Sequence, residues 1–427
     1  MTNLKEEVYL ESGYRDETLA LHYGYKRDGE RGMQVPIYAT TAYQYRSVEE
    51  AAELFSLQRE GNIYTRIGNP TTRVFEKRIT VLERGVDGVA TASGMGAVFY
   101  SIANLAGTGD NFLLSTKLYG GTITLLTQTL RRFGIEARYF NPTDPESILK
   151  KVDSQTKGII FESVANPSLV VADIPGIVEV ANQLGIVTIC DNTMATPYGI
   201  KPLSLGVDIV VHSASKYIVG NGTVILGVVV EGATARKKLE GNRYPQFTQP
   251  DPSYHGLVYL KRFKTPFSAR LRLALLRDFG AVPSPFNSWL GILGLEHLHL
   301  RWEAHSRNGK KIADFLKQIP IVRQVNYPIY QPLGEKLLKG GGGILSFELP
   351  NYSKAKKFVS QLELFQLVTN IADARSLVTH PASTTHQQLS QEELEKAGVP
   401  EGLIRLSVGL EYWEDLIGDL KKGLEKI

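Results

Sequence analysis

In the stretch DIVVHSASKYIVGNG (208–222) an apolar, β-branched run ends in His-Ser-Ala-Ser-Lys, and glycines follow within a few residues. A strand of this kind is expected to be buried, yet it delivers Lys216 into a turn of small residues, Ser213, Ala214, Ser215, Gly220 and Gly222. A lysine held where desolvation lowers its pKa is the usual source of an amine nucleophile or Schiff base. The plainer alternative is a solvated surface charge. Asp191 closes the preceding apolar run, VTICDN (187–192). By itself it reads equally as a cap for the next segment.

The two residues gain meaning together with a third feature. TASGMGAVFYSIANLA (91–106) reads as a glycine turn opening a helix, where free backbone N–H groups and the helix dipole favour an anion. An amine, an acid 25 residues before it and a phosphate site are what pyridoxal phosphate requires. The acid pairs with its ring nitrogen and makes the ring an electron sink. A dinucleotide fingerprint is the rival, but the third glycine position of GxGxxG holds Phe99. Ser213 and Ser215 can complete a phosphate cradle, and Tyr119, in KLYGGT, can lie over a planar ring or sit in the core. Cys190 should point to the face opposite Asp191 as a small core residue, and His212, with no second ligand nearby, is expected to be structural. No metal site is expected.

Strand candidates FLLS (112–115), GIIFES (158–163), VTICDN and DIVVHS alternate with the helical spacings GGTITLLTQTLRRFG, TDPESILKKVD and IPGIVEVANQLG. That rhythm predicts an α/β fold with a mostly parallel sheet covered on both faces, whose ligands bind at the carboxyl ends of the strands. Every polar strand end is therefore a candidate site residue. Residues 1–62 look like an extended arm, 63–264 like the large domain and 265–427 like a smaller α+β domain. That last part has a long helical passage (284–319), a strand in GILSFELP (343–350) and a flexible turn at the GGGG of 340–343.

Of the 427 residues, 43% are hydrophobic and 22% charged, with a net charge of +4. No concentrated basic face argues for nucleic acid or a membrane surface as partner. One cysteine excludes an internal disulfide and a multi-cysteine zinc cluster. The polar, acidic start and the lack of a membrane-length apolar run make the cytoplasm the expected location.

IYTRIGNPTTRVFEKRITVLE (63–83), SGMGA, LYGGT, ESVANP (162–167), DNTMATPYGIKP (191–202), HSASKYIVGNG, RSLVTHPASTTH (375–386) and RLSVGLE (405–411) occur in one order along the chain. In that order they resemble the Cys/Met-metabolism family of pyridoxal-phosphate enzymes, which has the aspartate-aminotransferase-like fold (fold type I). QVPIYATTAY, QPDPSYHGLVY (249–259) and RDFGAVPSPFNSW (277–289) resemble the branch that replaces the γ-acyloxy group of an acyl-homoserine by sulfur. Ser215, Asn221 and the SGMGA turn depart from that branch's commonest residues. The resemblance implies that Lys216 forms the Schiff base and shuttles protons, Asp191 pairs with the ring nitrogen and Tyr119 stacks on the ring. Gly94, Met95, Ser213 and Ser215 would hold the phosphate. Tyr64 and Arg66 would reach the neighbouring subunit's cofactor, with Tyr64 and Tyr119 assisting proton transfer. Asn166 would lie near the ring hydroxyl and the substrate carboxylate, which Arg405 would clamp with help from Ser376. It further implies a homo-oligomer, a dimer of dimers, acting on small molecules. The sulfur donor stays open among sulfide, methanethiol and sulfur on a carrier protein. Cystathionine γ-synthase and methionine γ-lyase chemistry are the alternatives within the family.

Overall fold

The computed structural model describes residues 13–27, 29–384, 387 and 399–427. The first twelve residues of the expected arm and the last two of RSLVTHPASTTH lie outside them.

Seven strands form the large sheet: β1 (Asp87–Thr91), β2 (Asn111–Ser115), β3 (Glu136–Phe140), β4 (Thr156–Glu162), β5 (Val187–Asp191), β6 (Ile209–His212) and β7 (Gly227–Glu231). Their order is β1-β7-β6-β5-β4-β2-β3. β3, β2, β4, β5 and β6 run parallel, and β7 is antiparallel to both β6 and β1. β2, β4, β5 and β6 are almost wholly buried, which explains why they read as continuous apolar runs rather than alternating ones. One face packs Val210, Cys190, Ile159 and Leu113 against one core, and the other packs Val211, Ile189, Ile160 and Leu114 against a second. Cys190 is thus fully buried on the face away from Asp191, as expected.

The helices carry the local signals their sequences encode. Pro70–Glu83 starts with Pro70 in the first turn after Asn69, whose side chain accepts from the Thr71 N–H. Ile174–Leu184 starts at Asp173, whose carboxylate accepts from Gly176 N–H, and stops at Gly185 with φ 63°. TDPESILKKVD departs from expectation. Only a single 3-10 turn, Pro145–Ile148, forms there, because the segment lies among tight turns that return the chain to β4. The long helical passage is two helices, Pro285–Glu296 and Leu298–Leu316, broken at His297.

A second sheet follows in the order β10-β11-β12-β9-β8, from β8 (Gln324–Asn326), β9 (Ile344–Glu348), β10 (Gln366–Leu367), β11 (Leu377–Thr379) and β12 (Leu403–Ser407). Its core joins Phe347, Val378, Ile404 and Leu406 with Leu416 and Leu420 of the helix Trp413–Glu425. Phe267, Leu271 and Leu276 pack in one core of the large sheet, and Ile292, Leu295, Leu298 and Trp302 in the other. The passage from 265 to about 302 thus packs side chains into both cores of the large sheet. The GGGG turn is also not a loose connection. Gly341, Gly342 and Gly343 are buried, the Gly343 N–H donates to the Tyr217 hydroxyl at 2.8 Å, and the Tyr327 hydroxyl donates to the Gly342 carbonyl at 2.8 Å. Among the described residues no helix is long and apolar enough to cross a membrane.

Candidate active site

The carboxyl ends of β4, β5 and β6 open onto a cavity of about 590 Å³. Lys216, Asp191, Glu162, Asn166, Tyr119 and Arg405 all line it, as do Gly94, Met95, Thr193, Ser213 and Ser215. The large sheet supplies most of these, whereas Arg405 arrives from β12 of the second sheet. The site therefore needs both layers.

Lys216 sits in the turn that follows β6, and its Nζ donates to Oδ1 of Asn370. Burial, and then the nearby Arg405 charge, lower its pKa below that of an ordinary lysine. Some of the amine is thereby made available in its neutral, nucleophilic form. Arg405 is 5% exposed. Nη1 donates to Asn166 Oδ1 at 2.9 Å, and Nη2 to the Asn370 carbonyl at 3.3 Å and Thr379 Oγ1 at 3.4 Å. Desolvation pulls its pKa down to about 10, which leaves it charged at neutral pH without a carboxylate partner among the described residues.

Asp191 and Glu162 are register partners on adjacent parallel strands. Asp191 accepts the Thr193 N–H at 2.9 Å. Burial raises both acids, and the charge of Asp191 adds to the effect on Glu162, which is pushed up to about 8.

The other end of the cavity suits an anion. The helix Gly94–Ala103 begins there, capped by Ser93, whose hydroxyl accepts from the Gly96 N–H at 3.0 Å. The N–H groups of Gly94 and Met95 lie in the first turn, where no carbonyl of the helix can reach them. A Cβ on Gly94 would lie 2.5 Å from the Ser213 Cβ, so only glycine lets the helix start approach the Ser213 turn this closely. The Ser215 hydroxyl is engaged with the backbone of Leu226, accepting its N–H at 2.8 Å and donating to its carbonyl at 3.2 Å. An anion cradle, a carboxylate, an amine and an aromatic wall at Tyr119 on one cavity suit pyridoxal phosphate.

Three expected residues lie elsewhere. Ser376 is fully buried, with its hydroxyl donating to Glu411 Oε2 at 2.9 Å and accepting the Gly409 N–H, and it does not reach the cavity. Thr379 and Asn370 take the places beside Arg405 instead. Both were missed in the sequence, although Thr379 is the direct β11 partner of Arg405 and could have been found from that register. Tyr64, 40% exposed, and Arg66 do not line this cavity either. The Arg66 guanidinium lies 5.5 Å from the Tyr64 ring and donates to the Arg277 carbonyl. His212 is structural, as expected: its Nε2 lies 2.7 Å from Glu83 Oε1 in the interior.

The fold and this site define a pyridoxal-phosphate-dependent enzyme of fold type I that acts on small molecules. The model of the Cys/Met metabolism PLP-dependent enzymes matches residues 17–425, and the chain belongs to that family. It is 42% identical to an O-acetyl-L-homoserine sulfhydrylase of Leptospira meyeri, over 97% of each chain. It is 43% identical to O-acetyl-L-homoserine sulfhydrylase 1 of Thermus thermophilus, over 96% of this chain and 100% of the relative. A Campylobacter jejuni crystal structure described as an O-acetylhomoserine (thiol)-lyase, containing N'-pyridoxyl-lysine-5'-monophosphate, superposes with a TM-score of 0.95 at 47% identity. It covers 96% of this chain and 100% of that one. The metB structure from Corynebacterium glutamicum gives 0.83 at 30%, over 97% and 98%.

Proposed function

We propose that the protein converts O-acetyl-L-homoserine and sulfide to L-homocysteine and acetate, a γ-replacement that serves methionine biosynthesis. The observation that carries this reading is one cavity holding a buried arginine without a carboxylate partner among the described residues, together with a desolvated lysine and a carboxylate at the ends of adjacent strands. The names of the relatives supply the substrate.

When bound, pyridoxal phosphate supplies the electron sink that makes protons on the substrate carbons removable. Gly94, Met95, Ser213 and Ser215 would hold its phosphate, Asp191 its ring nitrogen, Tyr119 its face, and Lys216 its carbonyl carbon. Arg405 grips the α-carboxylate of the amino acid with its planar fork, and Asn166 fixes that fork from the side. With the substrate amine bound in its place, Lys216 Nζ would be positioned to take the Cα proton and, once it has given that proton up, a Cβ proton. The Cγ–O bond breaks with departure of acetate, sulfide forms the Cγ–S bond, and protons return to Cβ and Cα. Tyr119, and Tyr64 from the neighbouring subunit, assist these transfers.

The arm through residue 62, largely exposed from residue 32 onward, and Tyr64 and Arg66 outside their own cavity support a subunit that completes its neighbour's site, in a dimer of dimers. Sulfide is the donor in this reading, with sulfur on a carrier protein as the other source. A cytoplasmic setting accords with one buried, unpaired cysteine.

The test is twofold. Borohydride reduction of the holoenzyme should fix the cofactor on Lys216, and Lys216→Ala should abolish turnover. Homocysteine should form from O-acetylhomoserine with sulfide, not cystathionine with cysteine, nor 2-oxobutyrate from methionine. Normal turnover by Lys216→Ala would refute the assignment.

A further inference from the structure

Glu162 is the one acid of the cavity to which the mechanism above gives no task. It is 5% exposed and, among the described residues, has no ion pair with a lysine or arginine. A carboxyl group kept in such a place without a counter-ion, next to a second acid, is costly unless its oxygens do something specific.

Both oxygens are committed. Oε1 accepts the backbone N–H of Tyr119 at 2.6 Å, 43 residues away, and Oε2 accepts the backbone N–H of Asn166 at 2.9 Å. These N–H groups belong to two different loops. One, after β2, carries the aromatic wall of the cavity. The other, after β4, carries the carboxamide whose oxygen receives Arg405 Nη1. No β-ladder joins the two loops at these positions, since the pairing of β2 with β4 ends at Leu114 and Ile160.

We propose that Glu162 is a positioning residue: one carboxyl group ties the Tyr119 loop to the Asn166 loop, and so sets cofactor stacking and substrate-carboxylate recognition together. Only a group with two acceptor oxygens at the end of β4 can span both N–H groups. A glutamine offers one acceptor and turns an NH2 toward the other N–H. An aspartate keeps both oxygens but is one methylene shorter and reaches one loop at most. The inference rests on the pyridoxal-phosphate reading of the cavity.

The experiment compares wild type, Glu162→Gln and Glu162→Asp, each stripped of cofactor and titrated with pyridoxal phosphate. Loss of one of the two backbone hydrogen bonds predicts an affinity about fivefold weaker. Near 420 nm the induced circular dichroism of the bound cofactor should fall, since the ring is no longer held at one angle. The KM for O-acetylhomoserine should rise at least fivefold, while the KM for sulfide stays within twofold. A merely structural role would lower the melting temperature and leave the dichroism and the KM ratio unchanged, which would overturn the proposal. If Glu162→Gln does not fold, the same readings on Glu162→Asp decide. Wild-type protein that fails to take up pyridoxal phosphate would overturn the site reading itself. Normal uptake by wild type and variants alike, with wild-type dichroism, would overturn the clamp alone.

Discussion

Replacing Arg405 by lysine keeps the positive charge and removes the fork. The guanidinium now serves three acceptors, Asn166 Oδ1, the Asn370 carbonyl and Thr379 Oγ1, and still presents N–H groups to the cavity. An ammonium at the end of a shorter reach cannot meet these and a carboxylate in parallel. A charge-assisted hydrogen bond contributes roughly 1.5–3 kcal/mol, so loss of one of a bidentate pair should lower kcat/KM for O-acetylhomoserine by about 10- to 150-fold. The loss should fall on the KM of the amino-acid substrate, because the α-carboxylate is held alike before and during the chemistry. The KM for sulfide, which has no carboxylate, should move less than twofold. Arg405→Gln separates charge from geometry. It removes the second cause of the lowered Lys216 pKa, so the amine should titrate at higher pH than in wild type, whereas Arg405→Lys should leave it low. Steady-state kinetics with each substrate varied, together with the pH profile of kcat/KM, measures all of this. An Arg405→Lys enzyme with an unchanged KM for O-acetylhomoserine would refute the carboxylate assignment.

Gly94→Ala should weaken pyridoxal-phosphate binding far more than it changes thermal stability. The new methyl meets Ser213 Cβ at 2.5 Å and its Cα at 2.7 Å, and so pushes the phosphate cradle open; equal affinities by titration of the apoprotein would contradict this. His305 is buried with Nδ1 against the Val408 carbonyl at 2.8 Å, and desolvation lowers its pKa to about 4. The unfolded chain then binds a proton near pH 6.5 that the folded chain refuses until about pH 4. Stability from this group is complete above 6.5 and is lost as pH falls through that window. Urea unfolding between pH 7 and 4 should show a shallower loss for His305→Gln than for wild type, and identical slopes would reject the buried neutral imidazole.

What the sequence made legible, and what it did not, follows from how burial writes itself into residue types. β2, β4, β5 and β6 are central and buried on both faces, so they stand out as apolar runs, and their polar ends mark the site. β3 at the sheet edge, with an exposed Tyr139 and the salt-bridged Arg138 in EARYF, shows no such run and was missed. β7 pairs antiparallel with β6 and β1, and no helix lies between β6 and β7 to mark it. Lys216 and Asp191 could be argued from residues alone because each ends a buried strand. Arg405 could not: it lies inside LIRLS, a strand whose every residue is buried, and only the resemblance pointed to it. The surroundings of Ser376 were illegible for a related reason. A hydroxyl near the end of a small strand has many partners, and Glu411, 35 residues further on, takes it inward.

Glu162 shows what that strand-end rule still contained. It ends GIIFES as plainly as Asp191 ends VTICD, and the register places the two side by side. One of them can serve a cationic ring nitrogen, and a second full negative charge beside it would be repelled. Burial and the charge of Asp191 push the Glu162 pKa up to about 8, against its two backbone N–H partners, which favour the ionised form and hold both oxygens in place. The Arg405 charge adds to burial in lowering the Lys216 pKa, and a substrate carboxylate held by Arg405 would relieve that effect. Buried polar and charged groups around an empty cavity are costly, and a ligand that pairs with them recovers that cost. By linkage, the free energy that binding recovers there should appear as a large rise in unfolding temperature when pyridoxal phosphate is added to the apoprotein.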